Sequence, residues 1–173
     1  MTRPLACTFV IALTVLTAAC ATTGASPRPF PTPHAPSAPS PALPAAVAGG
    51  KAVLYGITGT ALSLRGAPYR NGGTDPSGFD CSGFVQYVFW QNGVSVPRTV
   101  TDQFQAGRQI DWSGLEPGDL VFFTTVTSGA SHVGIAIGGD EFVHAPSGTG
   151  EVRVERLSGP YWSTRFIGAR RVL

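Results

Sequence analysis

Three side chains in the body of this chain could do nucleophilic chemistry together. Cys81 is the one cysteine after Cys20, and His132 and His144 are the only histidines after His34. A thiol at neutral pH needs a nearby base before it attacks a carbonyl. That base needs a partner on its second ring nitrogen to fix tautomer and orientation. Cys81 as nucleophile, His132 as general base and His144 as orienter fill these roles, provided that His144 stays neutral to accept the bond. For any single histidine, a satisfied half-buried polar role is the commoner case. Two histidines with one unpaired cysteine shift the balance toward catalysis. A zinc site of the same three residues is the other chemical reading. It lacks the short-range ligand pairs of zinc sites and has no obvious fourth ligand, so the expectation is no metal and no cofactor.

The elements that must position these groups can be read from periodicity. After the turn formers Pro76, Ser77 and Gly78, apolar residues recur at Phe84, Val85, Val88 and Phe89. That spacing predicts one face of a helix with Cys81 at its N-terminal end, on the buried side, stopping near Asn92-Gly93. Unpaired N–H groups and the positive end of the helix dipole favour thiolate, so a depressed thiol pKa is expected there. The bland alternative is a small hydrophobe plugging a helix end. Downstream, alternation in His132-Val133-Gly134-Ile135-Ala136-Ile137 puts His132, Gly134 and Ala136 on one strand face and the aliphatic residues on the other. The face with the two small residues is expected to receive the Cys81 helix. Phe142 and His144 share a face on the next strand. A hairpin around Gly138-Gly139-Asp140 would bring His144 beside His132.

Further helices are predicted over 51–64 and 99–105, and strands over 120–123, 132–137, 141–145, 152–157 and 165–172. Glu116-Pro117-Gly118-Asp119 is a turn signal. Helices first and a strand meander later give an α+β fold, with helices on one face of an antiparallel sheet of about five strands. Arg153, Arg156, Arg165, Arg170 and Arg171 crowd the C-terminal region and are read as a solvated strand face.

The chain has 173 residues and a formal net charge of +2, which suggests no nucleic-acid partner. Residues 1–20 read as an export signal: Arg3 is followed by an uncharged, mostly apolar stretch too short to span a bilayer comfortably. The stretch ends Leu16-Thr17-Ala18-Ala19-Cys20, which resembles the lipobox of bacterial lipoproteins, with Thr17 where that pattern prefers Leu. Acylation of Cys20 would anchor the protein to a membrane. By resemblance to the enterobacterial sorting rule, Ala21 favours the outer membrane, facing the periplasm. Residues 21–48 hold eight prolines and one charge, and are expected to form an extended linker reaching on the order of 85 Å. Residues 49–173 form the domain.

Asp80-Cys81-Ser82-Gly83-Phe84-Val85, Gly118-Asp119-Leu120-Val121-Phe122-Phe123, His132-Val133-Gly134-Ile135 and Phe142-Val143-His144-Ala145 resemble, in that order, the NlpC-type cell-wall peptidases. Pro68-Tyr69-Arg70-Asn71-Gly72-Gly73 is similar to the segment that precedes the cysteine in that family. The resemblance covers about residues 50–173. It implies a papain-like fold and hydrolysis of peptidoglycan stem peptides, with Cys81 as nucleophile, His132 as base and His144 as third polar residue; the protein is expected to be a monomer. It further implies that Tyr69 helps to stabilise the oxyanion and that Asp80 and Ser82 line substrate subsites. The family's usual Trp in the Tyr69 segment is replaced by Arg70-Asn71, which bears on substrate contacts rather than on the chemistry. A wall-binding lipoprotein that keeps the fold without activity, and an acyltransferase or amidase acting on a non-wall amide, are the alternatives.

Overall fold

The computed structural model describes residues 45–173, with side chains from Gly50 onward. The stretch read as an export signal, Cys20 and almost all of the stretch read as a linker lie outside the described residues. The first helix, α1 (Ala45–Ser63), opens within the last residues of the stretch read as linker. A short hairpin follows, β1 (Thr74–Asp75) and β2 (Gly78–Phe79), and then the cysteine helix α2 (Cys81–Gln91) and α3 (Val100–Gln105). The chain continues as β3 (Arg108–Ile110), β4 (Leu120–Phe123), β5 (His132–Gly138), β6 (Glu141–His144), β7 (Arg153–Arg156), α4 (Pro160–Ser163) and β8 (Phe166–Arg171).

The larger sheet has six strands in the order β3-β8-β4-β5-β6-β7, and every pairing is antiparallel. The strand beyond the expected five is β3. Its three residues are too few to display an alternation. The same brevity hides α4, a single turn with Pro160 at its start.

The α2 helix starts where it does because Asp80 caps it. The Asp80 backbone is extended (φ −91°, ψ 174°), and its side chain accepts from the Gly83 N–H at 2.7 Å. At the other end, Asn92 Nδ2 donates to Val88 O at 2.8 Å and to Thr60 Oγ1 at 3.1 Å, tying the helix to α1. Phe84, Val85, Val88 and Phe89 are fully buried, as their spacing requires. Each fully buried phenylalanine contributes about 1.5–3 kcal/mol.

The partner face differs from the expectation. The helices pack on Leu120, Phe122, Val133, Ile135, Val143 and Ala145, the aliphatic side of β4–β6. The opposite side, with Val121, Phe123, Ala136, Phe142 and Ala169, is covered by Leu157 and Trp162. The helices thus take the face whose side chains are wholly apolar, while the two imidazoles lie on the other. Gly134 serves a different purpose: a Cβ there would lie 2.6 Å from Phe142 Cδ2 and 3.2 Å from His144 Cβ. Its smallness makes room for the neighbouring strand's large side chains. Close backbone approach occurs instead at Gly83, where a Cβ would lie 2.0 Å from Gly73 O. That contact presses the first turn of α2 against the loop after Tyr69.

The C-terminal arginines are not a uniformly solvated face. Arg171 donates to both carboxylate oxygens of the buried Asp119, at 2.7 and 2.8 Å, and pairs with Glu116 at 2.9 Å. Arg170 Nε donates to Phe104 O at 2.5 Å, and Arg156 pairs with Asp140 at 3.1 Å. The turn before β4 is therefore clamped to β8.

Candidate active site

Cys81 occupies the first helical position of α2 and is half-buried. Its thiol is within reach of the backbone N–H groups of Val133, of Ser82 and of Cys81 itself, all of which lower its pKa. Burial acts more strongly and pushes the thiol up, with the Asp80 carboxylate adding to the rise. The expected depression is therefore reversed. A thiolate in this half-dry position beside a carboxylate loses more solvation than three N–H groups return. Val133 adjoins His132, so the contact brings the sulfur to the strand position next to the imidazole.

The two histidines meet as the hairpin requires. His132 Nε2 and His144 Nδ1 are 2.7 Å apart, on buried rings that are nearly perpendicular (86°). Burial lowers the His132 pKa to about 4. Burial also lowers that of His144, to about 2, followed by the charges of His132 and Arg153. Both imidazoles are thus neutral near pH 7. When His132 Nε2–H donates to His144 Nδ1, the lone pair of His132 sits on Nδ1, the nitrogen left to take a proton. His144 then carries its own proton on Nε2, which is buried without a hydrogen-bond partner in the protein. Its ring is packed between Phe142, at 4.7 Å, and the edge-on Trp162, at 4.8 Å.

Trp162 touches both rings. It stacks on His132 at 5.5 Å with an interplanar angle of 27°, and its Nε1 donates to Glu155 Oε2 at 2.6 Å. Glu155 is also within 3.3 Å of Arg153. His132, Thr125, Ser147, Thr149, Glu155 and Trp162 border a cavity of about 380 Å³ on the imidazole side of the cysteine.

Tyr69 is held by its backbone, with its N–H donating to Gly150 O at 2.7 Å and a bridge to Phe79. Burial raises its pKa first, and the neighbouring Cys81 and Asp80 raise it further. The phenol is therefore protonated at neutral pH and able to donate. Asp80 and Ser82 flank the thiol but face an arginine. Arg98 reaches the Asp80 carboxylate through both terminal nitrogens, at 2.6 and 3.0 Å, and Ser82 Oγ at 2.8 Å. Ser82 is 5% exposed, so Arg98 rather than open space fills the side toward which it points. The buried Gln103 supports the cluster from behind, donating to Ser82 O at 3.1 Å and to Pro97 O at 2.7 Å. Among the described residues no group of three or more His, Cys, Asp or Glu side chains is arranged to hold a metal ion.

The structure thus sets Tyr69, Asp80 and Ser82 around Cys81, brings the thiol to the Val133 N–H, one residue along β5 from His132, and pairs His132 with His144. Sequence reasoning missed Arg98, Gln103, Glu155 and Trp162. A signal existed for Arg98, which is the only charged residue between Asp80 and Asp102. No pattern announced Trp162, because α4 is one turn long.

Residues 66–171 match the family model described as the NlpC/P60 family. The chain is 43% identical over 121 residues to the probable peptidoglycan endopeptidase LytE of Bacillus subtilis, covering 66% of this chain and 33% of that protein. It is 43% identical over 110 residues to the murein DD-endopeptidase MepS/murein LD-carboxypeptidase of Escherichia coli, covering 63% of this chain and 57% of that one. The match therefore spans only a third to just over half the length of these relatives. Among solved structures, an NlpC/P60 family protein from Bacillus cereus superposes with a TM-score of 0.66 at 33% identity, covering 69% of this chain and 40% of the other. The peptidoglycan hydrolase RipB from Mycobacterium tuberculosis gives 0.62 at 28% identity, covering 73% and 67%.

Proposed function

The chain belongs to the NlpC/P60 family, and from that premise we propose that it is a cysteine endopeptidase hydrolysing amide bonds in the stem peptides or cross-bridges of peptidoglycan. The observation that carries this reading is the 2.7 Å His132–His144 pair beside the strand position that the Cys81 thiol reaches. Two relatives named as peptidoglycan or murein endopeptidases support the substrate class.

With a raised thiol and two neutral imidazoles, the resting state is thiol and imidazole rather than an ion pair. His132 Nδ1 takes the thiol proton as the sulfur attacks the carbonyl, and the His132 Nε2–H bond to His144 fixes the tautomer that permits it. The tetrahedral oxyanion is met by the Cys81 N–H and the protonated Tyr69 hydroxyl. His132 then protonates the leaving amine, a thioacyl-enzyme remains, and water attacks it with His132 again acting as base. The leaving side of the substrate lies in the cavity bordered by His132, Glu155 and Trp162. The acyl side lies toward Asp80, Ser82 and Arg98. Trp162, locked by Glu155, positions the two imidazoles. No step requires a cofactor.

The proposal extends to the envelope: Cys20 carries lipid, the stretch between it and α1 acts as a tether, and a monomeric domain works at the periplasmic side of the outer membrane. Incubating purified sacculi with the wild type and with Cys81→Ala tests the chemistry. Muropeptide release by the wild type alone supports it, and release by the variant refutes Cys81 as nucleophile. A second reading, a wall-binding protein of this fold without turnover, is favoured by the raised thiol. It predicts that neither protein releases fragments although both sediment with sacculi.

A further inference from the structure

A second groove runs along the outer side of α2, between the β1–β2 hairpin and the segment after the helix. Thr74, Asp75, Gln86, Tyr87, Trp90 and Ser95 line it, around a volume of about 420 Å³. It shares no lining residue with the cavity beside His132.

Trp90 leaves 67% of its surface in solvent. An indole so exposed contributes little to packing and offers a flat apolar face to a ligand. The face is anchored from beneath. Tyr87 lies against Trp90 with ring centres 6.5 Å apart, and Tyr87 in turn packs on the buried Phe79 at 5.3 Å. Around this platform stand groups that form hydrogen bonds without carrying net charge. Gln86 spends one amide N–H on Val96 O, at 3.3 Å, which leaves its second N–H and its carbonyl oxygen. Thr74 and Ser95 bring hydroxyls. The one formal charge lining the groove, Asp75, is compensated by Arg70 at 3.0 Å and accepts from the Ser77 N–H at 2.8 Å. An ionic ligand finds no uncompensated partner here. A neutral ring with an apolar C–H face and peripheral hydroxyl or acetamido groups finds both halves of what it needs.

The groove lies along the same helix that carries Cys81 at its start. Ser82, Gln86 and Trp90 follow at four-residue intervals along one side of α2, and Ser82 belongs to the Arg98–Asp80 cluster. From Cys81 to Trp90 the helix rises about 14 Å, a distance covered by about four extended residues. A peptide of stem length can therefore bridge the thiol and the groove.

We propose that this groove binds the glycan strand of the substrate, a neutral chain of N-acetylated hexosamines, with Trp90 as the stacking platform. The inference rests on the peptidoglycan reading above. Its test does not depend on turnover: the full chain is titrated with chitotetraose, a neutral N-acetylglucosamine tetramer, and binding is followed by NMR shifts or calorimetry. Wild type and Trp90→Phe should bind. Trp90→Ala should bind about tenfold more weakly, the factor carried by one aromatic contact of about 1.4 kcal/mol. Tyr55→Ala, which removes an equally exposed aromatic elsewhere (76% exposed), should bind like wild type. Absence of binding by the wild type, or equal binding by Trp90→Ala, overturns the proposal. Hydrolysis of a sugar-free stem-peptide dimer by the wild type is scored separately, and its failure would count against the hydrolase reading, not against the groove.

Discussion

The two faces of the six-stranded sheet are built from alternate residues of the same strands, yet they do different work. On one face, Val133, Ile135 and Val143 meet the fully buried side of α2, and the contact is wholly apolar. On the other, His132 and His144 lie among Phe123, Phe142 and Trp162, and the buried polar atoms need partners. The sulfur arrives from the helix face and the imidazoles from the other. They can meet only at the beginning of β5, where the N-terminal turn of α2 reaches the Val133 N–H. A period of two thus lets one strand anchor a helix and present an imidazole, without either role constraining the other's residue types.

The sharpest way to separate the faces is to remove the group at their junction. Cys81→Ala is expected to eliminate muropeptide release while changing unfolding free energy by no more than about 1 kcal/mol, as checked by fragment analysis and urea denaturation. On the helix face the effect should invert. Phe84→Ala is expected to cost about 3–5 kcal/mol of stability, while the fraction that remains folded keeps its turnover number. Loss of turnover in that folded fraction would show that the helix face does more than support.

Acid should attack the histidine face selectively. Both imidazoles are held neutral in the fold, with pKa values of about 4 and about 2. In the unfolded chain they protonate near pH 6.5. The unfolded state therefore binds more protons below pH 6.5, and stability falls by a few kcal/mol as pH drops from there toward 4. The acidic limb of kcat/KM should lie near 4 for the same reason. A melting temperature that stays flat from pH 7 to 4, or an activity limb near 6.5, would contradict the dry aromatic setting of the pair.

Two smaller changes sharpen the comparison. Trp162→Phe keeps an aromatic ring beside both imidazoles but removes the donor to Glu155. It should lower kcat/KM by about tenfold, equivalent to about 1.4 kcal/mol, and shift the pH profile as the His132 ring loosens. Asp80→Ala removes a helix cap together with the carboxylate that pairs Arg98 and should cost about 1–3 kcal/mol, measurable by thermal unfolding.

What could be read in advance follows the same division. The buried side of α2 was legible because 3.6-residue periodicity survives over Phe84, Val85, Val88 and Phe89. The pairing of His132 with His144 was legible because alternation and a Gly-Gly turn fix the hairpin. The face that receives α2 was misjudged, since small residues can admit either a backbone or a neighbouring strand's bulky side chains, and Gly134 admits Phe142 and His144. The thiol's pKa was also misjudged, because a helix start is visible in sequence whereas burial and the placement of Asp80 are not. Arg98 and Trp162 act through contacts across sequence gaps, Asp80 to Arg98 and Glu155 to Trp162, that no local pattern encodes.

The place of β8 has a kinetic corollary. Although it is the domain's last strand, it is wedged between β3 and β4. As the polypeptide is synthesised from its N-terminal end, β4 to β7 can zip together as a meander. Arg108–Ile110 must wait as an orphan until Phe166–Arg171 emerges. Assembly of that edge therefore comes last, with the Arg171–Asp119 clasp as a closing latch.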